Sequence, residues 1–340
     1  MEKGKLVVLL IFSVVLVGAL VFLKWALDGR NLPRESLIEP QVKILSYSTF
    51  VSATGPAPQL VAEFESRCNC KVEFYTAGDA GLLLERLKLS QDKAGYDVVI
   101  GFDQFSAAKA LQDWTWLPIL NPGENPFVDV IGANTLSPLV PFDYSPMTFI
   151  YRSEEVPTPP QSLNELLGAE YKSSLSLQDP RSSSPGLQFL SWVSEHPHPV
   201  EFLKKLKPNV HSVSPSWALS YGLFKKNQSR FVFSYVTSLV YHRVIEQQPQ
   251  YDALNFSEGH PVQVEYAGVP SGCRNCELGK NFARFLLEKN SQFQIAEKNF
   301  MYPSVKEVSL PPGFDQLPQL KLNPVHFKMP SFEIWDRAFE

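Results

Sequence analysis

From residue 42 to residue 103 the chain alternates between strand and helix. VKILSYSTF (42–50) is strand-like and ends in a polar turn. APQLVAEFESRC (57–68) places apolar residues at helical spacing, and KVEFYTA (71–77) alternates as a strand. GLLLERLKLSQ (81–91) is amphipathic, and YDVVIGF (96–102) is a short apolar run ending at Asp103. Strand, helix, strand, helix, strand predicts parallel strands with helical crossovers. Ligands in such sheets bind outside the carboxyl ends of the strands. Those ends carry residues 47–49, residues 78–80 and Asp103, which makes Tyr47, Asp79 and Asp103 candidate site residues.

The remainder fits two α/β lobes, for which 340 residues suffice. A strand through PFDYSPMTFIYRSE (141–154) leads into a second lobe. A strand and loop follow at SSLSLQDP, then helices at 186–195 and 217–228. The segment 230–247 reads as a strand that breaks into a helix near Thr237, VQVEYAGVP (262–270) as a returning strand, and 281–299 as a helix pair. The tail from Pro311 is proline-rich and expected to wrap the surface. A net charge of −4 argues against nucleic acid as the main partner.

The N-terminus has Lys3 and Lys5, then 18 apolar or small residues from Leu6 to Leu23, then Lys24. The run is at the lower edge of a membrane span and longer than a usual signal core. Residues 1–27 are read as an uncleaved signal-anchor, a cleaved signal peptide being the alternative, with the main body exported. Residues 28–41 are a tether. Export gives meaning to the four cysteines, in RCNC (Cys68, Cys70) and CRNC (Cys273, Cys276). Close pairs in an oxidising compartment are able to form disulfides; a four-thiolate zinc site and a redox CxxC are the other readings.

No nucleophile elbow, phosphate-binding loop, dinucleotide fingerprint or zinc-type histidine spacing is present. The predicted strand and helix ends instead hold rings, hydroxyls and acids: Tyr47, Asp79, Asp103, Trp217, Tyr221, Tyr235 and Tyr241. Together they suit a flat organic cation, attracted by ring faces and a nearby carboxylate. The serines of QDPRSSSPGLQFLSW (178–192) open a helix. They serve either as an N-cap or, with the helix N–H groups, as donors to an anion.

YSTF, GPAPQLVAEFESRCNCKVEF, YDVVIGFDQ, VPFDYSPMTFIY, QDPRSSSPGLQFLSW, WALSYGLF, SYVTSLVYH, ALNFSEGH and KNFMYP occur in this order. From Val42 to Gly313 this series resembles the thiamine-binding proteins of bacterial thiamine ABC importers. The resemblance implies a type II periplasmic-binding-protein fold, with a mixed sheet flanked by helices in each lobe and a ligand cleft between them. On that pattern the first lobe takes 42–142 and returns at 263–340 with the tail, and the second takes 143–262. It implies thiamine, its monophosphate or its diphosphate as ligand, no cofactor, ABC permease subunits as partners, a monomer, and a location in the periplasm or at the cell exterior. Carried over residue by residue, the ligand positions are Asp79, Ala80, Ser183, Ser184, Trp217, Tyr235, Val236, Thr237 and Ser238. Tyr47 and Tyr241 fall on aromatic positions near the cleft, and Phe300 replaces a tryptophan. Ala80, Val236 and Ser145 also depart from the family pattern. CNC belongs to that pattern, which implies a structural role for Cys68 and Cys70. The competing readings are a thiamine-degrading enzyme, a ferric-iron or other cation receptor, and a sensor without transport.

Overall fold

The computed structural model describes residues 23–24, 39–89, 95–132 and 136–339. The apolar run 6–23, apart from Leu23, lies outside the described residues, as does the tether up to Ile38. Among the described residues no helix is long and apolar enough to cross a membrane. Met1–Pro40 and Gln41–Glu340 form separate units, and the second is the α/β body.

Its strands are β1 (Gln41–Ser46), β2 (Lys71–Thr76), β3 (Val98–Asp103), β4 (Trp116–Leu117), β5 (Val140–Arg152), β6 (Leu175–Gln178), β7 (Val210–Ser214), β8 (Phe231–Tyr235), β9 (Tyr251–Ala253), β10 (Val262–Pro270) and β11 (Tyr302–Pro303). The main helices are α1 (Ala57–Cys68), α2 (Leu83–Leu89), α3 (Gln104–Asp113), α4 (Ser184–Ser194), α5 (Pro199–Leu206), α6 (Trp217–Lys225), α7 (Cys276–Phe285), α8 (Lys289–Asn299) and α9 (Phe332–Phe339).

The strand order is β2-β1-β3-β10-β5-β8-β6-β7, with β4, β9 and β11 at the margins. β1 pairs in parallel with β2 and β3, and β6 in parallel with β7 and β8. The first parallel set is the alternation legible between residues 42 and 103. β10 and β5 run antiparallel in the middle. β5 is long enough to serve both lobes. Its residues 140–146 pair with β10, and from Met147 onward it pairs with β8. The change of partner falls at Pro146, whose missing N–H interrupts a ladder.

Each lobe has its own core. Ile44, Val98, Phe102, Phe142 and Tyr266 are buried in the first; Phe149, Phe189, Leu203, Phe231 and Phe233 are buried in the second. α1 joins the first core through Leu60 and Phe64, four residues apart on one face. It stops at Asn69, whose positive φ of 50° reverses the chain into β2. A Cys68–Cys70 disulfide closes that turn, and Cys273–Cys276 closes the turn into α7. Four cysteines in two disulfides leave no thiolate for zinc.

The tail does more than wrap the surface. Val325 is buried in the first core, and α9 puts Trp335 into the second. The segment therefore spans both lobes. The strands β4, β7, β9 and β11, absent from the sequence reading, are mostly short and marginal in the sheet.

Gly101 in β3 has φ +105°, and a Cβ there would lie 2.3 Å from the Tyr47 ring. Gly101→Ala is expected to destabilise the protein by roughly 2–3 kcal/mol in urea unfolding. Gly222→Ala in α6, where a Cβ meets nothing within 4 Å, is expected to be neutral or stabilising.

Candidate ligand site

Carboxylates converge where the two lobes meet. In the pairing register, Glu265 of β10 stands opposite Asp103 of β3 on one side and Asp143 of β5 on the other. All three are buried. Among the described residues none is paired with a lysine, arginine or histidine. Their partners are neutral. Tyr47 donates its hydroxyl to Glu265 Oε2 at 2.7 Å, and Gln263 Nε2 donates to Glu265 Oε1 at 3.0 Å and to the Tyr235 hydroxyl at 2.9 Å. Asn299, the last residue of α8, donates to Asp143 Oδ2 at 2.8 Å and to the Tyr47 hydroxyl at 2.9 Å. Asp143 Oδ1 and Gln263 Oε1 are buried with no hydrogen-bond partner.

A buried, unneutralised acid holds its proton more tightly. Burial pushes Glu265 up to about 8 and Asp143 well above its ordinary value, the neighbouring acids adding to both shifts. Burial, reinforced by Glu265, also raises the Tyr47 and Tyr235 hydroxyls well above theirs.

A fourth acid, Asp79, sits where three helix starts converge. It is the N-cap of a 3₁₀ turn at Ala80–Leu82 and accepts from Gly81 N at 3.3 Å. It accepts from Trp217 N, the first residue of α6, at 3.0 Å, and from Ser184 N, the first residue of α4. Burial raises its pKa against these bonds. One carboxylate thus serves three positive helix ends.

The serine loop uses its hydroxyls between elements rather than as caps. Ser183 occupies the N-cap position of α4 but makes no side-chain cap bond; its Oγ donates to Asp79 Oδ2 at 3.4 Å. Ser184 Oγ donates to Asp103 Oδ2, and Ser182 Oγ donates to the Pro215 carbonyl at 2.7 Å. Asp103 also caps α3 through Phe105 N and Ser106 N.

The rings adjoin these acids. Trp217 lies 6.1 Å from Tyr235 and 4.9 Å from Tyr221, centroid to centroid. Its indole N–H donates to Ser234 Oγ, which bonds Ser238 Oγ, both at 2.9 Å. Thr237 Oγ1 lies 3.1 Å from Ser145 Oγ on β5. Tyr241 meets Phe300 edge-on at 5.5 Å. Ala80 is buried against the first core. The Val236 side chain is buried in an apolar cluster with Tyr221, Phe224 and Leu239, away from the polar groups.

Direct contacts thus link Tyr47, Asp79, Asp103, Ser183, Ser184, Trp217, Tyr235 and Ser238 to one another or to the buried acids and their donors. Tyr241 packs against Phe300, which follows Asn299, and also meets His242 and Lys225. The sequence reading missed Asp143, Gln263, Glu265 and Asn299. The available signal was an acid inside an otherwise apolar strand, in VPFDYS and VQVEYAG.

Residues 59–322 match the model of the family described as bacterial extracellular solute-binding protein. The chain belongs to that family. It is 36% identical over 308 residues to a thiamine-binding periplasmic protein of Brucella suis, covering 89% of this chain and 91% of the relative. It is 36% identical over 282 residues to the protein of that name from Escherichia coli, covering 82% and 85%. A solved periplasmic thiamin binding protein superimposes with a TM-score of 0.80 at 33% identity, covering 89% of this chain and 94% of that one. An iron-bound protein from Pseudomonas aeruginosa, at 15% identity and a TM-score of 0.71, shares the fold. Together the solved relatives make this a two-lobe type II periplasmic-binding-protein fold.

The raised acids set a pH dependence. In the unfolded chain Asp and Glu ionise near their ordinary values of 3.8 and 4.5. The folded chain keeps its protons to higher pH, so these groups favour folding most in acid, and their contribution falls as pH rises toward 8. His242 and His260, lowered chiefly by burial, act in the opposite sense only below their ordinary value of 6.5. Between pH 6.5 and 8, stability is therefore expected to fall. Asp143→Asn is expected to raise stability at pH 8 by about 1–3 kcal/mol, with the gain shrinking as pH falls and vanishing only below the ordinary Asp value of 3.8, measured by urea unfolding.

Proposed function

We propose that this chain is the extracytoplasmic solute receptor of an ABC importer, that it binds thiamine or one of its phosphates between its lobes, and that it delivers the ligand to permease subunits in the membrane. One observation carries the reading. A cluster of buried carboxylates has no cationic partner among the described residues, and aromatic rings border it. Thiamine has a permanently charged thiazolium ring and a second flat ring. Such a ligand offsets the buried charge and offers two faces for stacking.

Asp143 and Glu265 face the positive charge, with Tyr47 and Asn299 fixing their orientation. Trp217 and Tyr235 pack on a ring. Tyr241 and Phe300 border the same cleft. Asp79, Ser183 and Ser184 meet the hydroxyethyl or phosphate end, and Asp103, Ala80, Thr237 and Ser238 complete the wall. Val236 contributes through its backbone, since its side chain is in the core. The role needs no catalytic group and no cofactor. Both cysteine pairs are in disulfides, which removes the nucleophile of a cysteine-dependent thiamine-degrading enzyme. The receptor acts in the periplasm or at the cell exterior as a monomer, tethered to the inner membrane by residues 6–23. Lobe closure around the ligand creates the surface that the permease reads.

Calorimetric titration of the protein with thiamine, its monophosphate and its diphosphate tests this. Tight binding of at least one is expected, with the ligand recovered intact. Trp217→Ala is expected to weaken the tightest of them at least tenfold; binding of none sinks the reading. A cation also draws the proton from Glu265, so affinity is expected to rise between pH 6 and pH 8, by at most about tenfold per unit for one coupled proton. Glu265→Gln flattens that rise.

A further inference from the structure

A chain of hydrogen bonds leaves the site through the second lobe and ends at the surface. Trp217 Nε1 bonds Ser234 Oγ at 2.9 Å, and Ser234 Oγ bonds Ser238 Oγ at 2.9 Å. Ser238 bonds the Tyr221 hydroxyl. Tyr221 bonds His242 Nε2 at 2.7 Å, and His242 Nδ1 bonds Glu246 Oε2 at 2.6 Å. Glu246 then pairs with Lys225. His242 and Glu246 lie on and beside a π-helical turn, Tyr241–Ile245. Such turns interrupt regular helices and recur at functional sites. His242 is fully buried and stacked at 3.7 Å on Tyr251.

The two ends give the chain a single direction. An indole N–H only donates, and an ionised carboxylate only accepts. Burial, the largest influence on His242, keeps its pKa below the ordinary value, so the ring is neutral at pH 7. Glu246 therefore takes the Nδ1 proton, which leaves Nε2 as the acceptor. Tyr221 must then donate to His242 and has only a lone pair to offer Ser238. Ser238 must donate to Tyr221, and Ser234 to Ser238, while Ser234 accepts from Trp217. Every hydroxyl proton is assigned, and aligned bonds of this kind strengthen one another.

We infer that His242 is a positioning residue for the ligand site: held in one tautomer by Glu246, it fixes the plane of the Trp217 indole through Tyr221, Ser238 and Ser234. The inference rests on the proposed reading of Trp217 as a ring that packs on thiamine. The contact with Tyr221, 4.9 Å between centroids, constrains the indole from its face, and the hydrogen-bonded chain constrains it from its edge.

The test is a double-mutant cycle read by thiamine titration, with unfolding measured alongside. Tyr221→Phe keeps the stacked ring and removes the hydroxyl; Trp217→Phe keeps a ring and removes the indole N–H. Tyr221→Phe is expected to weaken thiamine binding about fivefold in the wild-type protein and less than twofold in Trp217→Phe. His242→Gln supplies an acceptor toward Tyr221 and a donor toward Glu246, and is expected to bind within twofold of wild type, whereas His242→Leu loses as much as Tyr221→Phe. Glu246→Gln, at the outer end of the chain, is expected to weaken binding only while the indole is present, and it gives the same readout should Tyr221→Phe not fold. Equal losses in both backgrounds, or no loss from Tyr221→Phe, would overturn the inference while leaving thiamine as the ligand. Failure of the wild-type protein to bind thiamine would overturn the reading beneath it.

Discussion

Three carboxylates stand at one level across β3, β10 and β5, and among the described residues none has a cation beside it. Like charges on facing strand positions repel, and an isolated buried charge is among the most costly features a fold can hold. The arrangement persists because the cost is spread. Tyr47, Gln263, Asn299 and Ser184 donate to the acids, and Glu265 and Asp143 retain protons. The surrounding strands supply the rest: β3 is buried throughout, as is β10 up to Pro270. Strong cores on either side allow a locally unfavourable site between them, which is common where stability is given up for function.

The placement of these acids ties charge to motion. Asp143 lies three residues before Pro146, where β5 leaves one lobe for the other. Glu265 lies on β10, shortly after Pro261, whose carbonyl accepts from Met147 N at 2.8 Å. Donors from the second lobe meet acids of the first: Ser183 and Trp217 N reach Asp79, and Ser184 reaches Asp103. The groups that hold the lobes together are those a cationic ligand would meet. On the proposed reading, ligand binding and lobe opening therefore depend on the same atoms.

Most residues of this candidate site could be read from the sequence alone. Asp79, Asp103, Ser183 and Trp217 sit at the ends of strands or the starts of helices, positions that local pattern identifies. The TM-score of 0.80 against a solved relative accords with the two-lobe fold that the motifs implied. Asn299, at the end of α8, carried no local signal, whereas Asp143, Gln263 and Glu265 were hidden for a definite reason. A single polar residue in a strand reads as a solvent-facing position, and only the pairing register reveals that Glu265 faces Asp103 and Asp143 inside the sheet. Val236 shows the converse. It lies in the turn just after β8, where Tyr235 and Thr237 hold polar partners while its own side chain packs into the core. The C-terminal helix was masked by the prolines before it, although FEIWDRAF carries apolar residues at helical spacing.

The serine loop shows what local chemistry leaves open. Three hydroxyls at a helix start suggest either a cap or a cradle for an anion; Ser183 makes no side-chain cap bond, and all three hydroxyls donate within the protein. A hydroxyl has one proton to donate. Those of Ser182, Ser183 and Ser184 go to Pro215, Asp79 and Asp103. Pro185 has no N–H, and the Ser184 N–H is already taken by Asp79. Asp79 supplies negative charge to α4, α6 and the turn at Ala80 together. A phosphate on the ligand has to share those donors with the aspartate or displace it, and the two anions repel. A positively charged ring meets the opposite situation, since every carboxylate at the lobe junction attracts it. On the proposed reading the loop serves a cationic ligand by orienting the acids, and any contribution of phosphate to affinity depends on where Asp79 goes when the phosphate arrives.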